Sequence, residues 1–135
     1  IKRINGKVIL YLIKDSESLE LLCQRFFINK KEKKILEDYR HIRNILDSNR
    51  KNFLNFKPSN WTEFIESNNL HTETAKLIIS DGSNFWKPFF RWLFLYRFIK
   101  SNKNGEELKN EGWIQGEEIG TEIKRLRYIE IDKKS

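Results

Sequence analysis

Apolar residues recur every three or four positions along most of the chain, which is the spacing of one face of an α-helix. With the capping and breaking residues between them, they predict helices over about 16–28, 30–50, 61–68, 73–80, 83–101, 106–111 and 117–129. Val8–Ile13 is β-branched enough for a strand, but a lone strand finds no partner elsewhere, so we expect it to end a helix that begins upstream. The predicted fold is therefore all-α, a single compact domain of about six to seven helices.

Local signals mark where these helices begin and end. Asn29 and Thr72 have side chains that cap helix N-termini, and Gly82 lies just past a predicted C-terminus. Pro58 disfavours a helical conformation at the residue before it, so we expect residues 53–58 to form a connecting segment. The segment 83–101 is apolar nearly all round, which predicts a long central helix that is buried on several sides.

Composition adds bulk and charge to this picture. Apolar residues make up 39% of the chain, and ten Phe, four Trp and four Tyr predict a core of aromatic, Ile and Leu side chains. Lys and Arg number 26 against 19 Asp and Glu, so the net charge is +7, which is typical of proteins with a polyanionic partner. A merely Lys-rich protein is the alternative. Because the chain lacks Met, we interpret Ile1 as an internal position of a longer protein.

The chain holds few of the residues that carry catalysis. Cys23, His41 and His71 are isolated from one another, without the spacing of metal ligands, and no phosphate-binding loop occurs. We therefore predict no catalytic residue, metal site or cofactor within this chain. A single cysteine fits a reducing compartment, and we expect the cytoplasm. The longest apolar stretch, near 85–99, is interrupted by three cations, so we expect no membrane partner.

Three glycines at four-residue intervals, Gly112, Gly116 and Gly120, form the most distinctive motif. Gly112 falls where a short helix needs a left-handed final residue, and Gly116 precedes the next helix. Gly120 lies inside that helix at a cost of about 1 kcal/mol relative to Ala, which predicts close approach by a backbone or a ligand. We expect the side chains of Trp113 and Ile114 to pack into the core and so to anchor this structural turn. A packed helical hairpin without a ligand is the alternative.

Two kinds of phosphate contact are open at this turn. A helix-hairpin-helix DNA-binding module has a Gly-apolar-Gly turn, but here three residues separate the first two glycines. Glu117 and Glu118 would also repel a phosphate placed at the start of the last helix. We therefore expect RNA contacts from the cations that flank the turn, which are Lys109, Lys124, Arg125 and Arg127.

Two further groups of cations are candidates for RNA contact. The first follows Asn29 and comprises Lys30, Lys33 and Lys34. A solvated helix face is the default interpretation of such a run. The second lies on the central helix and comprises Lys87 and Arg91, with Phe94 and Phe98 predicted on the same face. This face could bind a nucleic-acid backbone and sugar. It could also pack against a neighbouring domain, and we prefer this second interpretation.

Two stretches resemble the C-terminal body and tail of the tRNA nucleotidyltransferase/poly(A) polymerase family, the CCA-adding enzymes of the bacterial type. Residues 19–36, LELLCQRFFINKKEKKIL, resemble a helix, a short corner and the following helix of that family. Residues 105–126, GEELKNEGWIQGEEIGTEIKRL, are similar to its tail motif, in which a leucine and spaced glycines precede the last helix. The second stretch is the more specific of the two.

The resemblance implies that catalysis is carried out by a part of the protein that lies upstream of Ile1. In that family an N-terminal head with a Gly-Ser and an Asp-x-Asp motif binds two metal ions, and an RNA 3′ hydroxyl attacks the α-phosphate of an NTP. Here Gly82-Ser83 has no such carboxylate pair downstream. We therefore expect the head, with its Mg²⁺ and NTP, to lie upstream, joined to this chain by a neck.

The sequence as a whole predicts an RNA-binding C-terminal portion of a nucleotidyltransferase that is inactive alone. We expect a helical body over 1–104 and a glycine-spaced tail with a terminal helix over 105–135, in one continuous domain. In that family the body and tail grip the acceptor and T-arm stem of tRNA, where a basic helical surface reads shape rather than sequence. The alternatives are a non-enzymatic protein-interaction module and a helix-hairpin-helix DNA-binding domain.

Overall fold

A computed structural model describes residues 29–134, in which the backbone forms seven α-helices and one 3₁₀ turn. The helices are α1 (Lys30–Ser48), α2 (Arg50–Phe53), α3 (Pro58–Ser67), α4 (Thr72–Ser80), α5 (Trp86–Phe94), α6 (Gly105–Asn110) and α7 (Glu117–Lys133), with the 3₁₀ turn Tyr96–Phe98 after α5. These residues contain no strand, so the predicted all-α fold is confirmed. The helix predicted over 16–28, the segment Val8–Ile13 and Cys23 lie outside the described residues.

Short polar side chains fix the beginnings of the first two long helices. Asn29 caps α1 as predicted, because its Oδ1 accepts the Glu32 amide at 2.8 Å while its Nδ2 donates to the Glu32 carboxylate at 2.8 Å. Helix α3 begins at Pro58, earlier than predicted, because proline is tolerated at the first helical position, where no amide donor is needed. The Asn60 side chain then accepts the Lys57 amide at 2.9 Å.

The cap of α4 differs from the prediction by one residue. His71 rather than Thr72 is the N-cap, and its Nδ1 accepts the amide of Glu73 at 3.1 Å. Gly82 does follow the helix, and its positive φ of 75° is a conformation that glycine adopts without steric cost. The chain thus reverses between α4 and α5.

An aromatic cluster forms the centre of the core, as the composition predicts. The Phe53 ring lies 5.3 Å from that of Trp61, 5.1 Å from that of Phe64 and 5.9 Å from that of Phe85. Such ring pairs add about 0.5–1.5 kcal/mol each beyond the area they bury. Aliphatic residues of α1, α3, α4 and α7 surround the cluster; those with at most 1% exposure are Ile42, Leu46, Ile65, Ala75, Ile78 and Ile131.

Two partly buried carboxylates tie distant segments of the chain together. The Asp81 carboxylate, at the end of α4, accepts the Tyr39 hydroxyl at 2.6 Å and lies 3.2 Å from the Arg43 Nε of α1. In the last helix, Asp132 of α7 accepts the backbone amide of Ser59 at 2.9 Å and its hydroxyl at 2.8 Å. The last helix is therefore fastened to the start of α3.

The central helix is shorter than predicted. Helix α5 ends at Phe94, Leu95 takes up a non-helical conformation, and Ile99 is already extended. The carbonyls of Tyr96 and Ile99 accept hydrogen bonds from Arg127 of α7 instead of continuing the helix. The prediction of burial on several sides is also wrong, because only the face with Phe89, Trp92 and Leu93 is buried.

Candidate nucleic-acid interface

The exposed face of α5 carries a row of three aromatic side chains. Trp86, Phe90 and Phe94 follow one another at four-residue spacing, and we call them the aromatic row. Their centroids lie 6.1 Å and 4.7 Å apart, and their exposed fractions are 44%, 43% and 62%. Large exposed apolar patches of this kind mark binding surfaces more often than they mark ordinary solvent-facing helix.

A pair of cations lies directly beside the aromatic row. Lys87 and Arg91, the basic pair, are each one residue after a ring of the row and are exposed. Within residues 29–134 neither side chain forms an ion pair. Within this part of the chain, no carboxylate therefore neutralises their charges through an ion pair.

The basic pair also lines a shallow pocket of about 220 Å³. The rest of its lining is aromatic or apolar and comprises Phe56, Pro58, Trp61, Pro88 and Tyr96. Among the described residues no Asp or Glu lines the pocket, so no carboxylate repels an anion there. We call this cavity the basic pocket.

Core packing holds this face in place from behind. Phe89 is fully buried, and its ring lies 5.8 Å from that of Trp61, which also lines the basic pocket. Beyond the helix, the Arg97 guanidinium lies 4.5 Å from the ring centroid of Phe98 and donates through Nε to the Leu93 carbonyl at 2.8 Å. Binding residues carried by a packed helix need less ordering than residues on a loop, so less affinity is lost on binding.

This arrangement matches the two chemical parts of a nucleotide. Cations bind phosphate oxygens, and exposed aromatic rings stack on bases. The sequence pointed to Lys87, Arg91 and Phe94, and the structure brings these three together on one face. Phe98 lies on the 3₁₀ turn rather than on that helical face, which corrects its predicted register, although it is 63% exposed.

Sequence reasoning missed two members of the aromatic row and most of the basic pocket. Trp86 and Phe90 were assigned no role, yet the four-residue spacing from Trp86 to Phe94 is visible in the sequence. The pocket residues before α5 come from the segment 56–61, which only the fold brings against the basic pair.

The candidate cations of α1 are arranged differently. Lys30 is exposed at the first position of the helix, and Lys33 is half-buried. The Lys34 ammonium lies 2.7 Å from the Asp38 carboxylate, and this hydrogen bond raises the pKa of Lys34. The structure does not bring these lysines into the basic pocket.

The candidate cations of the tail lie in four different settings. Lys109 is exposed near the end of α6, and the Lys124 ammonium lies 5.9 Å from the Tyr128 ring centroid. Arg125 is paired with Glu122 on the surface, and its hydrogen bond lowers the pKa of that carboxyl group. None of these three lines the basic pocket.

Arg127 is instead part of the fold. Its Nη1 and Nη2 donate to the two Glu66 oxygens at 2.6 Å and 2.9 Å, and Trp92 Nε1 donates to the same carboxylate at 3.1 Å. Partial burial raises the pKa of Glu66, but the hydrogen bonds from Arg127 and Trp92 outweigh burial, so the pKa lies below its ordinary value. Within the fold, the Arg127 charge is matched by this carboxylate.

The glycine turn confirms one prediction and corrects two. Gly112 has a φ of 102°, its amide donates to the Lys109 carbonyl, and the next amide donates to Leu108, which is a Schellman ending of α6. Trp113 and Ile114 do not plug the core, because they are 37% and 75% exposed. Among residues 29–134, no backbone approaches Gly120 either, since a Cβ there would meet none of their atoms within 4 Å.

This turn differs from a helix-hairpin-helix phosphate site in the backbone amides that are free to bind a phosphate. The amides of Gly112 and Trp113 are used to close α6. Gly116 opens α7 with a φ of 142°, and Glu117 and Glu118 occupy the first turn of that helix. The nearest side chains to a phosphate placed there are therefore negatively charged.

Metal-ligating side chains are dispersed across the described fold. Across residues 29–134, His, Cys, Asp and Glu nowhere gather in a group of three that could hold a metal ion. In the same part of the chain, no helix combines the length and apolar character that a bilayer crossing requires.

Comparison of the chain with protein-family models, curated proteins and solved structures gives no match.

Proposed function

We propose that this chain is a helical RNA-binding unit and that the exposed face of α5 is its contact surface. One observation carries the proposal: among residues 29–134, the basic pair forms no ion pair, borders a pocket that no carboxylate lines, and lies beside the exposed aromatic row. Phosphate contacts through Lys and Arg are independent of sequence and supply most non-specific affinity. The net charge of +7 supports a polyanionic partner of this kind.

The roles of the two groups follow from their chemistry. Lys87 and Arg91 bind phosphate oxygens at the mouth of the basic pocket, and the guanidinium of Arg91 can accept a phosphate in a bidentate manner. The aromatic row contacts sugars and bases. Lys30, Lys109 and Lys124 contribute long-range attraction from other surfaces, which accelerates encounter more than it strengthens the complex.

The proposal is tested by neutralising the basic pair in the whole chain. Lys87→Gln with Arg91→Gln removes two charges from the interface, and we expect at least a tenfold loss of affinity for tRNA at low salt. Arg50→Gln with Lys51→Gln is a matched control, because it removes one Arg and one Lys that are exposed on α2, away from the basic pocket. Equal affinities of the two double variants would contradict the proposal.

We further propose that the chain acts as part of a cytoplasmic nucleotidyltransferase, as the family resemblance implies. In that case the head upstream binds Mg²⁺ and NTP and catalyses the reaction, and this chain binds the RNA. Incubated with tRNA, Mg²⁺ and labelled NTP, the chain alone should incorporate no label. Incorporation by the chain alone would place the chemistry within these residues and remove the need for a separate head.

A protein-interaction module is the second candidate, and a specific observation favours it. Exposed apolar side chains occur both on the aromatic row and at the α6–α7 turn, where Ile114 is 75% exposed. Association driven by such side chains is insensitive to salt, whereas association with RNA weakens steeply as salt rises. Salt dependence therefore separates the two candidates.

A further inference from the structure

We infer that the exposed face of α5 takes a single-stranded RNA segment, with bases on the aromatic row and phosphates on the basic pair, in preference to a duplex stem. This inference rests on the RNA-binding function proposed above and names its substrate class. It departs from the expectation that the helical surface measures the shape of a tRNA stem.

The first argument is the accessibility of the rings. Neighbouring rings of the aromatic row meet at 74° and 47°, so they do not stack face to face. With 43% to 62% of each residue exposed, ring surface is left open to a partner. A base can use that surface only when it is unstacked, because the bases of an A-form duplex cover one another and present only their edges.

The second argument is the repeat along the helix. Trp86 is followed by Lys87, and Phe90 is followed by Arg91, so a ring and a cation recur together once per helical turn. Four residues rise by about 6 Å along an α-helix. One nucleotide of an extended strand can therefore place its base on a ring and its phosphate near the adjacent cation, and the next nucleotide can repeat the arrangement. Phe94 offers a third ring at the end of this track.

The third argument is the size of the basic pocket. Its volume of about 220 Å³ lies below the range of about 300–1,000 Å³ that is typical of pockets for whole small-molecule ligands. It suits a phosphate with part of its ribose, while the base remains outside on the aromatic row. A free nucleotide buried as a whole does not fit this geometry.

The fourth argument concerns cations elsewhere on the molecule. A duplex stem is bound by phosphate contacts spread over a broad surface. Here three of the candidate cations, Lys34, Arg125 and Arg127, are engaged by Asp38, Glu122 and Glu66. Lys30, Lys109 and Lys124 form no ion pair with the described residues, but they lie on three other helices, α1, α6 and α7. The basic pair and its rings form a narrow strip along one helix, which matches one strand better than two.

The experiment compares two RNAs and two kinds of variant in the whole chain. The probes are a labelled oligouridylate of about 12 nucleotides and a blunt RNA duplex of about 16 base pairs, titrated by fluorescence anisotropy at low salt. Phe90→Leu with Phe94→Leu keeps apolar bulk but removes two rings, while Trp113→Leu removes an exposed ring from the α6–α7 turn as control. Circular dichroism checks that each variant is folded.

The expected result is at least tenfold tighter binding of the single strand than of the duplex. The double leucine variant should lose about five- to a hundredfold in affinity for the single strand, the range that one lost base stack gives. The control variant should lose less than twofold. Quenching of tryptophan fluorescence by the oligouridylate should fall in Trp86→Phe, since that change removes the indole from the aromatic row.

Three other outcomes would overturn the inference. Equal affinity for both RNAs, unaffected by the leucine changes but weakened by the glutamine changes at Lys87 and Arg91, would leave RNA binding intact and refute the single-strand preference. Absence of binding to any RNA at low salt would refute the proposed function as well. Salt-insensitive self-association that the leucine changes abolish would assign the aromatic row to a protein interface.

Discussion

The guanidinium of Arg127 on α7 is bound in parallel by both carboxylate oxygens of Glu66 on α3, at 2.6 Å and 2.9 Å. The same guanidinium donates to the backbone carbonyls of Ile99 and Tyr96, and Trp92 donates to the same carboxylate. Helix α7, helix α3 and the backbone after α5 thus meet at one hydrogen-bonded pair. Arg127, which the sequence predicts at an RNA surface, therefore also joins α7 to α3 and to the segment that follows α5.

Replacing Glu66 by Gln should destabilise the protein by about 1–2 kcal/mol, because it weakens a bidentate pair and leaves a half-buried guanidinium poorly matched. The expected effect is small because the pair is partly open to solvent, which screens its charges. Urea unfolding followed by circular dichroism measures the change. Glu63→Gln on the exposed side of the same helix is the control and should change the free energy of unfolding by less than about 0.5 kcal/mol.

The Glu66 carboxylate should also make stability depend on acid. Its pKa in the fold is lower than the 4.5 of the unfolded chain, so its contribution is fully present above about pH 4.5 and disappears as pH falls through the folded-state value. The difference in unfolding free energy between the wild type and Glu66→Gln should be constant from pH 6 to 7. It should shrink at more acidic pH, and a difference that grows there would contradict the assigned pKa direction.

The buried Tyr39 hydroxyl should resist ionisation. Burial, together with its hydrogen bond to Asp81, raises the pKa of Tyr39 above its usual value of 10.0. Its contribution to stability is therefore present below pH 10 and is lost as pH rises towards the folded-state pKa. In an ultraviolet titration, Tyr39→Phe should remove a phenol that ionises above pH 10, and it should cost about 1 kcal/mol at neutral pH. A Tyr39 that ionises at the ordinary pKa of 10.0 would show that this contact is open in solution.

Gly112 and Gly120 should respond in opposite directions to replacement by alanine. Gly112 has a φ of 102°, so Gly112→Ala is strained and should destabilise the protein by about 1 kcal/mol or more. Gly120 lies in α7 with no described residue within 4 Å of an added Cβ, so Gly120→Ala should stabilise the protein by about 0.5–1 kcal/mol. Thermal unfolding of both variants checks this pair, and a destabilising Gly120→Ala would restore the close approach predicted from the sequence.

The buried side of the fold follows from local patterns, whereas the ends of helices depend on distant residues. Phe85, Phe89 and Trp92 form a stripe that the helical period predicts, and all three are buried. The termination of α5 could not be foreseen, because the carbonyl of Ile99 is bound by a side chain 28 positions later. Periodicity also counts an aromatic residue as core wherever it falls, so it does not predict the exposure of Trp86 and Phe90.

In the candidate site, too, local patterns predict some residues, whereas others depend on distant parts of the chain. Charge and spacing singled out Lys87 and Arg91, but nothing in the sequence places Trp61 beside them, since that contact depends on how α3 packs against α5. The sequence likewise could not separate Arg127, whose partner Glu66 lies 61 positions away, from unpaired cations of the tail. Pairing is a property of the folded chain, so it becomes visible only after the fold is known.

The salt dependence of RNA binding tests the role of the α5 face most directly. Each phosphate contact on a single strand adds about 0.7 to the slope of log K against log salt, so neutralising Lys87 and Arg91 together should reduce the slope by about 1.4. Neutralising Arg50 and Lys51, exposed on α2, should leave the slope unchanged. Identical slopes for the wild type and the Lys87→Gln, Arg91→Gln variant would show that RNA does not contact this face.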